Sequence, residues 1–306
     1  MKILLATDGS AGSQTTVESV LHGCWAPGTQ IKVVTAVVTH DLLPVPGAMK
    51  ANEIAQVSKQ LVDCAERLMA AHPHVDVTAE MLEGHADEMI VKAAQDFKAD
   101  LIVMGSKGHS GFQQFLMGSV SHAVLRSSPV PVRIVRHSEI ARAERHGVLI
   151  AINVWEHWED PIDHVLQFSW PKDARFECVT VLSDDYRYQS SEPVEVYNEL
   201  LLRNAELKVK AARILEAAVA RIIRCTGETA TYKILEGSAS EQIIDEAEEW
   251  MADLIVMGSH GRNLVERVFV GSVSEAVCSH AHCAVEVLRT TTKSPGKTHA
   301  PIPVKH

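Results

Sequence analysis

Along the chain, short unbroken apolar runs alternate with longer stretches whose apolar positions recur every three or four residues. In the first half the short runs are "KILLAT" from Lys2, "IKVVTAVV" from Ile31, "VDVTAEML" from Val75, "DLIVMG" from Asp100 and "VPVRIV" from Val130. Runs of this length, rich in Val and Ile and bounded by turn formers, predict buried strands. Between them the longer period predicts helices over 12–24, 50–72, 86–98 and 118–127. The second half repeats the alternation with "GVLIAIN", "FECVTVL", "ATYKIL", "DLIVMG" and "AVEVL". There, Val194 to Arg224 predicts one long, charge-laced helix. The fold class expected is α/β: two tandem, doubly wound, five-stranded parallel-sheet domains with right-handed crossovers. Ligands of such sheets lie at the carboxyl ends of the strands, where the strand order reverses.

The halves are copies. "LEGHADEMIVKAAQDFKADLIVMGS" (from Leu82) lies without a gap over "LEGSASEQIIDEAEEWMADLIVMGS" (from Leu235), an offset of 153. "KILLATD" from Lys2 matches "GVLIAIN" from Gly147 at an offset of 145, so the second copy carries eight extra residues in its central segment. The units are expected at 1–137 and 147–289, joined by the polar connector "SEIARAERH". The last residues, 290–306, have little to bury and are expected to be disordered.

A glycine frame recurs after the fourth strand: "MGSKGHSGFQQFLMGSVS" from Met104 and "MGSHGRNLVERVFVGSVS" from Met257. Its ends match while its middle is rewritten, so backbone geometry, not side-chain chemistry, is what the spacing preserves. The frame leads from a strand into a helix start, where unpaired N–H groups and the positive dipole end suit phosphate. Gly118 would admit an anion close to the backbone and tolerate φ > 0, and Gly105 and Gly108 would fold the strand exit into an N–H-lined concavity. Ser119 and Ser121 would add hydroxyl donors. The plainer alternative is that these are turn and cap glycines. Neither the Walker spacing nor G-x-G-x-x-G is present. Asp8, ending the first strand, could accept hydrogen bonds from a ribose, cap the helix starting near Ala11, or do both. Its counterpart is Asn153, a neutral amide.

Composition narrows the classes. The 306 residues carry 29 basic and 39 acidic side chains, a formal charge of −10, which argues against a nucleic-acid groove or an anionic membrane surface. No apolar run reaches membrane-spanning length and the amino terminus reads as a strand, not a leader. Six cysteines without a C-x-x-C pair fit reduced thiols and a cytoplasmic location. "CSHAHCAV" from Cys278 invites a zinc reading, but Cys278 and Cys283 lie over Leu125 and Val130, so core positions are expected and no metal. His109, His122, His157 and His260 read as surface or loop residues. "DDYRYQSSEP" from Asp184 reads as a solvated loop.

The first-strand Asp, the L-E-G-x-A-x-E helix entry and the full frame ending in G-S-V-S closely resemble the universal stress protein family in its tandem form, over nearly all of 1–289. The resemblance implies an adenine nucleotide alpha hydrolase-like fold, fifth strands that pair to make a pseudo-dimer, and the ATP-binding type of member. Carried over, it implies Ala6, Thr7, Asp8 and Val37 around adenosine. Met104, Gly105, Lys107, Gly108, Gly118, Ser119, Val120 and Ser121 would surround ribose and phosphates. The second-half positions are Ile152, Asn153, Val181, Met257, Gly258, His260, Gly261, Gly271, Ser272, Val273 and Ser274. Asn153 departs from the pattern, standing where the first half has Asp8.

The function expected is therefore an ATP-binding stress-response or regulatory protein, with Mg2+ as an optional companion, whose occupancy biases conformation or partner choice. The alternatives are a slow ATPase or adenylyl-transfer enzyme, and a nucleotide-free scaffold or small-ligand binder. No base–nucleophile pair, H-x-G-H or lysine-rich transfer loop supports fast turnover, and no catalytic residue is assigned. A homodimer and an unidentified protein partner are both compatible with this reading.

Overall fold

The computed structural model describes residues 1–37, 47–106, 117–136, 146–155, 157–182, 194–259 and 270–289. Lys107, Gly108, His109, His260, Gly261, the loop from Asp184, the connector 137–145 and the tail 290–306 lie outside the described residues.

The first half runs β1 (Lys2–Ala6), α1 (Ala11–Leu21), β2 (Gln30–Val37), α2 (Gly47–Ala71), β3 (Asp76–Glu83), α3 (Ala86–Phe97), β4 (Leu101–Gly105), α4 (Ser119–Ser127) and β5 (Val132–Val135). The second runs β6 (Gly147–Ala151), α5 (Glu159–Val165), β7 (Arg175–Leu182), α6 (Val194–Thr226), β8 (Thr229–Glu236), α7 (Ala239–Glu249), β9 (Leu254–Gly258), α8 (Ser272–His280) and β10 (Ala284–Leu288). The strands stand where the apolar runs predict them. The short α5 was not singled out by the sequence pattern. It has seven residues against eleven in α1. The repeat mate of Ser10, which caps α1 by accepting from Ser13 N–H, is Trp155, which cannot cap, so α5 starts later along its copy of the chain.

Both halves are doubly wound and joined in one ten-stranded sheet of order β3-β2-β1-β4-β5-β10-β9-β6-β7-β8. Pairing is parallel within each half, and the order reverses between β1 and β4 and between β6 and β9. The junction is antiparallel: Ile134 faces Val285, Arg133 faces Glu286 and Val132 faces Val287. This is the fifth-strand pairing and pseudo-dimer that the resemblance implies.

The two faces of the sheet are organised differently. On one, α3, α4, α7 and α8 close over a single core running across the junction, with Ile102, Leu125, Val132, Ile255, Cys278 and Val285 all buried in it. On the other, α1 and α2 cover one core around Ile3, Val20 and Leu68, while α5 and α6 cover another around Ile150, Ile162 and Leu215. Trp25 and its repeat mate Trp170 each donate their indole N–H to a main-chain carbonyl five residues earlier, at 2.7 Å in both. Such pairing satisfies the one polar atom of an otherwise apolar ring. Cys278 and Cys283 belong to the shared core, as expected from their mates.

Candidate functional site

The reversal of strand order brings the ends of β1 and β4 side by side, with Ala6 opposite Met104. The chain leaves β1 through a tightly bonded turn. Thr7 N–H donates to Val34 O at 3.0 Å, Thr7 Oγ1 to Ser13 Oγ at 3.0 Å, and Ser10 N–H to Asp8 Oδ1 at 3.0 Å. The helix cap is thus Ser10, not Asp8 as the sequence alternative had it. Asp8 instead closes a side-chain turn over two residues. Gly9 follows with φ +72°, and a Cβ there would stand 2.3 Å from Gln60 Oε1. Asp-Gly is a turn signal in its own right, and sequence reasoning left Gly9 out of the site.

The chain leaves β4 at Gly105 and returns at Met117 to begin α4. Gly118 N–H donates to Ser106 O at 2.7 Å, and the first intrahelical bond is His122 N–H to Gly118 O at 2.9 Å. The N–H groups of Ser119, Val120 and Ser121 therefore have no acceptor within the helix. A glycine cap has no side chain to offer them. The second half is built alike: Gly271 N–H to Ser259 O at 2.7 Å, then Glu275 N–H to Gly271 O at 3.0 Å.

Left-handed backbone, one of the two reasons expected for these glycines, is not what they supply. Gly118 and Gly271 have φ of −68° and −67°, which any residue adopts. At the second a close approach stands instead: a Cβ on Gly271 would lie 3.0 Å from Ser259 O, and Gly118 makes the matching N–H bond to Ser106 O. Gly258, by contrast, has nothing within 4 Å of a Cβ among the described residues. The serines also divide. Ser121 is buried and donates its hydroxyl to Gly105 O at 2.7 Å, and Ser274 donates to Gly271 O at 3.1 Å. The Ser121 hydroxyl thus ties helix to strand end, while that of Ser274 bonds the cap of its own helix and lies 3.4 Å from Ser259 O, leaving the exposed Ser119 and Ser272 as the outward hydroxyls.

The side chains of Ala6, Met104, Ile152 and Met257 are buried, so these residues can offer a ligand only main chain. Val120 and Val273 pack partly against the shared core. Val37 ends β2, where its carbonyl accepts from Gly84 N–H at 3.0 Å. The same bond in the second half is made by Leu182, from Gly237 N–H at 3.1 Å. Leu182, not Val181, is therefore the mate of Val37; the offset of 145 still holds along β7. Gly84 and Gly237 have φ of +137° and +130°, marking the L-E-G step as a backbone requirement.

At the second-half exit, Asn153 Oδ1 accepts from Trp155 N–H at 3.0 Å. Trp155 is partly exposed beside it, with Lys210 Nζ from α6 4.8 Å over its ring. The two exits thus share a turn and differ in charge and in what stands at the mouth. Among the described residues no three His, Cys, Asp or Glu side chains gather as a metal-ligand set. No helix among them is long and apolar enough to cross a membrane.

Comparison with known proteins agrees with this architecture. The model of the "Universal stress protein family" matches residues 1–136 and again 138–289. A universal stress protein of Mycobacterium tuberculosis is 24% identical over 309 residues, covering 94% of this chain and 96% of its own. One from Thermus aquaticus is 33% identical over 140 residues, 44% of this chain and 97% of its own. Among solved structures, a universal stress protein from Archaeoglobus fulgidus shares the fold with a TM-score of 0.65 at 24% identity, covering 94% of this chain and 98% of that one.

Proposed function

The chain belongs to the universal stress protein family, and from that premise we propose that it is an ATP-binding regulatory protein of the stress response. The observation that carries the reading is the glycine-capped start of α4, whose first N–H groups have no acceptor within the helix and stand at the switch point beside the exit of β1. In this reading the N–H groups of Ser119, Val120 and Ser121 hold phosphate oxygens, with the exposed Ser119 hydroxyl beside them. Lys107 and Gly108 belong to the same loop by sequence. Asp8 takes the ribose hydroxyls or a companion Mg2+, and main chain at Val37 lies against the adenine. Bound ATP supplies a polyanion that joins the β1 and β4 exits.

The second half binds more weakly in this proposal. Its helix start, at Ser272, Val273 and Ser274, is as open as the first, but Asn153 brings no charge. Regulation through occupancy, not turnover, is proposed, and the reduced state of the six cysteines suits a cytoplasmic location. The test is mass spectrometry of nucleotide carried through native purification, with calorimetry of ATP added to the stripped protein. Retained adenine nucleotide and a saturable heat are expected. Neither retention nor heat with ATP would end the proposal.

A further inference from the structure

The fifth-strand junction carries a local two-fold axis, and at that axis a position of the repeat meets its own copy. Arg133 and Glu286 are separated by 153 residues, the offset of the repeat, and face each other in the β5·β10 register. The flanking contacts obey the same symmetry. Arg136 donates to Cys278 O while its mate Arg289 donates to Leu125 O, the mate of Cys278. Further along the axis, His122 Nε2 of α4 lies 2.6 Å from Glu275 Oε1 of α8, again mates. In this flanking pair, then, mates do the same thing. On the axis they differ in charge: Arg against Glu, and His against Glu.

Two identical units joined by this two-fold would have to place Arg on Arg, or Glu on Glu. The place is dry. Glu286 is fully buried and Arg133 is 7% exposed, with Arg133 Nε 2.6 Å from Glu286 Oε2. His164 takes the other carboxylate oxygen, and the rings of Phe168 and Trp25 lie 5.2 and 5.7 Å from the guanidinium. An unpaired buried charge is strongly unfavourable there, whereas replacing both partners with well-packed apolar residues of similar volume is often neutral. The ion pair is therefore worth more as discrimination than as attraction.

We propose that Arg133–Glu286 and His122–Glu275 form a pairing code: the fifth-strand surface of a first half accepts the fifth-strand surface of a second half and rejects another first half, and the reverse. The partner that fits each surface is thus the unlike half of this chain. The proposal stands independently of nucleotide binding.

Full-length variants can imitate the rejected junctions. Glu286→Arg reproduces the axis of a first-with-first junction, and Arg133→Glu that of a second-with-second junction. Hydrogen exchange at the amides of β5 and β10 is the readout. Each like-charge variant should lose protection there by about a hundredfold or more. The neutral double variant R133M/E286L should stay within about tenfold of the parent, and the exchanged pair R133E/E286R, though it sets Arg against His164, should recover part of the protection lost by its parents. Where a like-charge variant fails to fold, the partly exposed pair gives a milder form of the comparison through His122→Glu, which sets Glu against Glu, beside the neutral double H122Q/E275Q. The proposal is overturned if like-charge variants keep the parent's protection. It is equally overturned if the neutral double loses as much as they do, because the pair would then be a stabilising bridge and no code.

Discussion

Asp8 and Asn153 build the same turn: each side-chain Oδ1 accepts the N–H two residues ahead, at 3.0 Å in both halves. The turn therefore does not need the charge. Replacing Asp8 with Asn should leave thermal stability within about 0.5 kcal/mol, since the hydrogen bond is kept. ATP affinity at the first site should fall about tenfold, the difference between a charge-assisted and a neutral hydrogen bond. Calorimetry on full-length chains already carrying Gly271→Val isolates that site. Unchanged affinity would remove Asp8 from the ribose.

Gly118→Val should abolish nucleotide binding at the first site by setting a branched side chain against Ser106 O, as the geometry at Gly271 shows. The folding cost should be about 1–3 kcal/mol, the range for forcing atoms into a filled space, and within the usual margin of a domain. Circular dichroism should keep its native form. An ATP-dependent thermal shift is the discriminating measurement, because ligand at about 100 times its dissociation constant adds about 2.7 kcal/mol. A G118V/G271V chain that keeps that shift would disprove the phosphate cradle.

Both helix starts were legible in the sequence because a repeat exposes what a single copy hides: two frames with matched ends and free middles point to backbone. The close approach of Gly271 to Ser259 O was not legible there, because that contact exists only once β9 and α8 are placed. The mate of Val37 follows from the offset of 145, which holds to the end of β7 and makes it Leu182, not Val181. The charge code had a visible sign, a charged residue in the middle of two short apolar strands, "VPVRIV" and "AVEVL". Its meaning needed the antiparallel register, in which Arg133 and Glu286 become neighbours.

Two buried carboxyls should give the stability a characteristic pH profile. Burial opposes the ionisation of Glu286, but Arg133 and His164 outweigh it and hold its pKa down at about 2. Its stabilisation is complete above the ordinary value of 4.5 and should vanish as pH falls from there to about 2. Glu177 runs the other way. Burial and the neighbouring Glu246 raise it to about 7, against the opposing pull of Lys233. Ionisation of the unfolded chain then costs stability as pH rises from 4.5 to about 7. Glu177→Gln should raise the melting temperature at pH 8 and leave it unchanged near pH 4. A gain of equal size at both pH values would contradict this.

Thiol chemistry should follow burial. Cys225 is exposed, whereas burial pushes the Cys178 and Cys278 thiols up to about 12 and Cys64 to about 11. A thiol held protonated is a poor nucleophile and a poor zinc ligand. The native protein should react quickly with about one equivalent of a disulfide reagent, and with the remainder only after unfolding. Chelator should leave the melting temperature unchanged. A fall on adding chelator would restore the zinc reading of Cys278 and Cys283.

Joining the halves through β5 and β10 also decides which sheet edges meet solvent. Apart from one another, each half would have two, and one of them would be an apolar fifth strand with unpaired main-chain groups. United, they leave only β3 and β8 at the margins. Those two strands carry Asp76, Glu80 and Glu83, and Lys233 and Glu236. Charged residues on an open edge discourage a stray strand from adding to it. A ten-stranded sheet built this way is finite: its growth stops at its own borders, and the strands best suited to recruit neighbours are already occupied by each other.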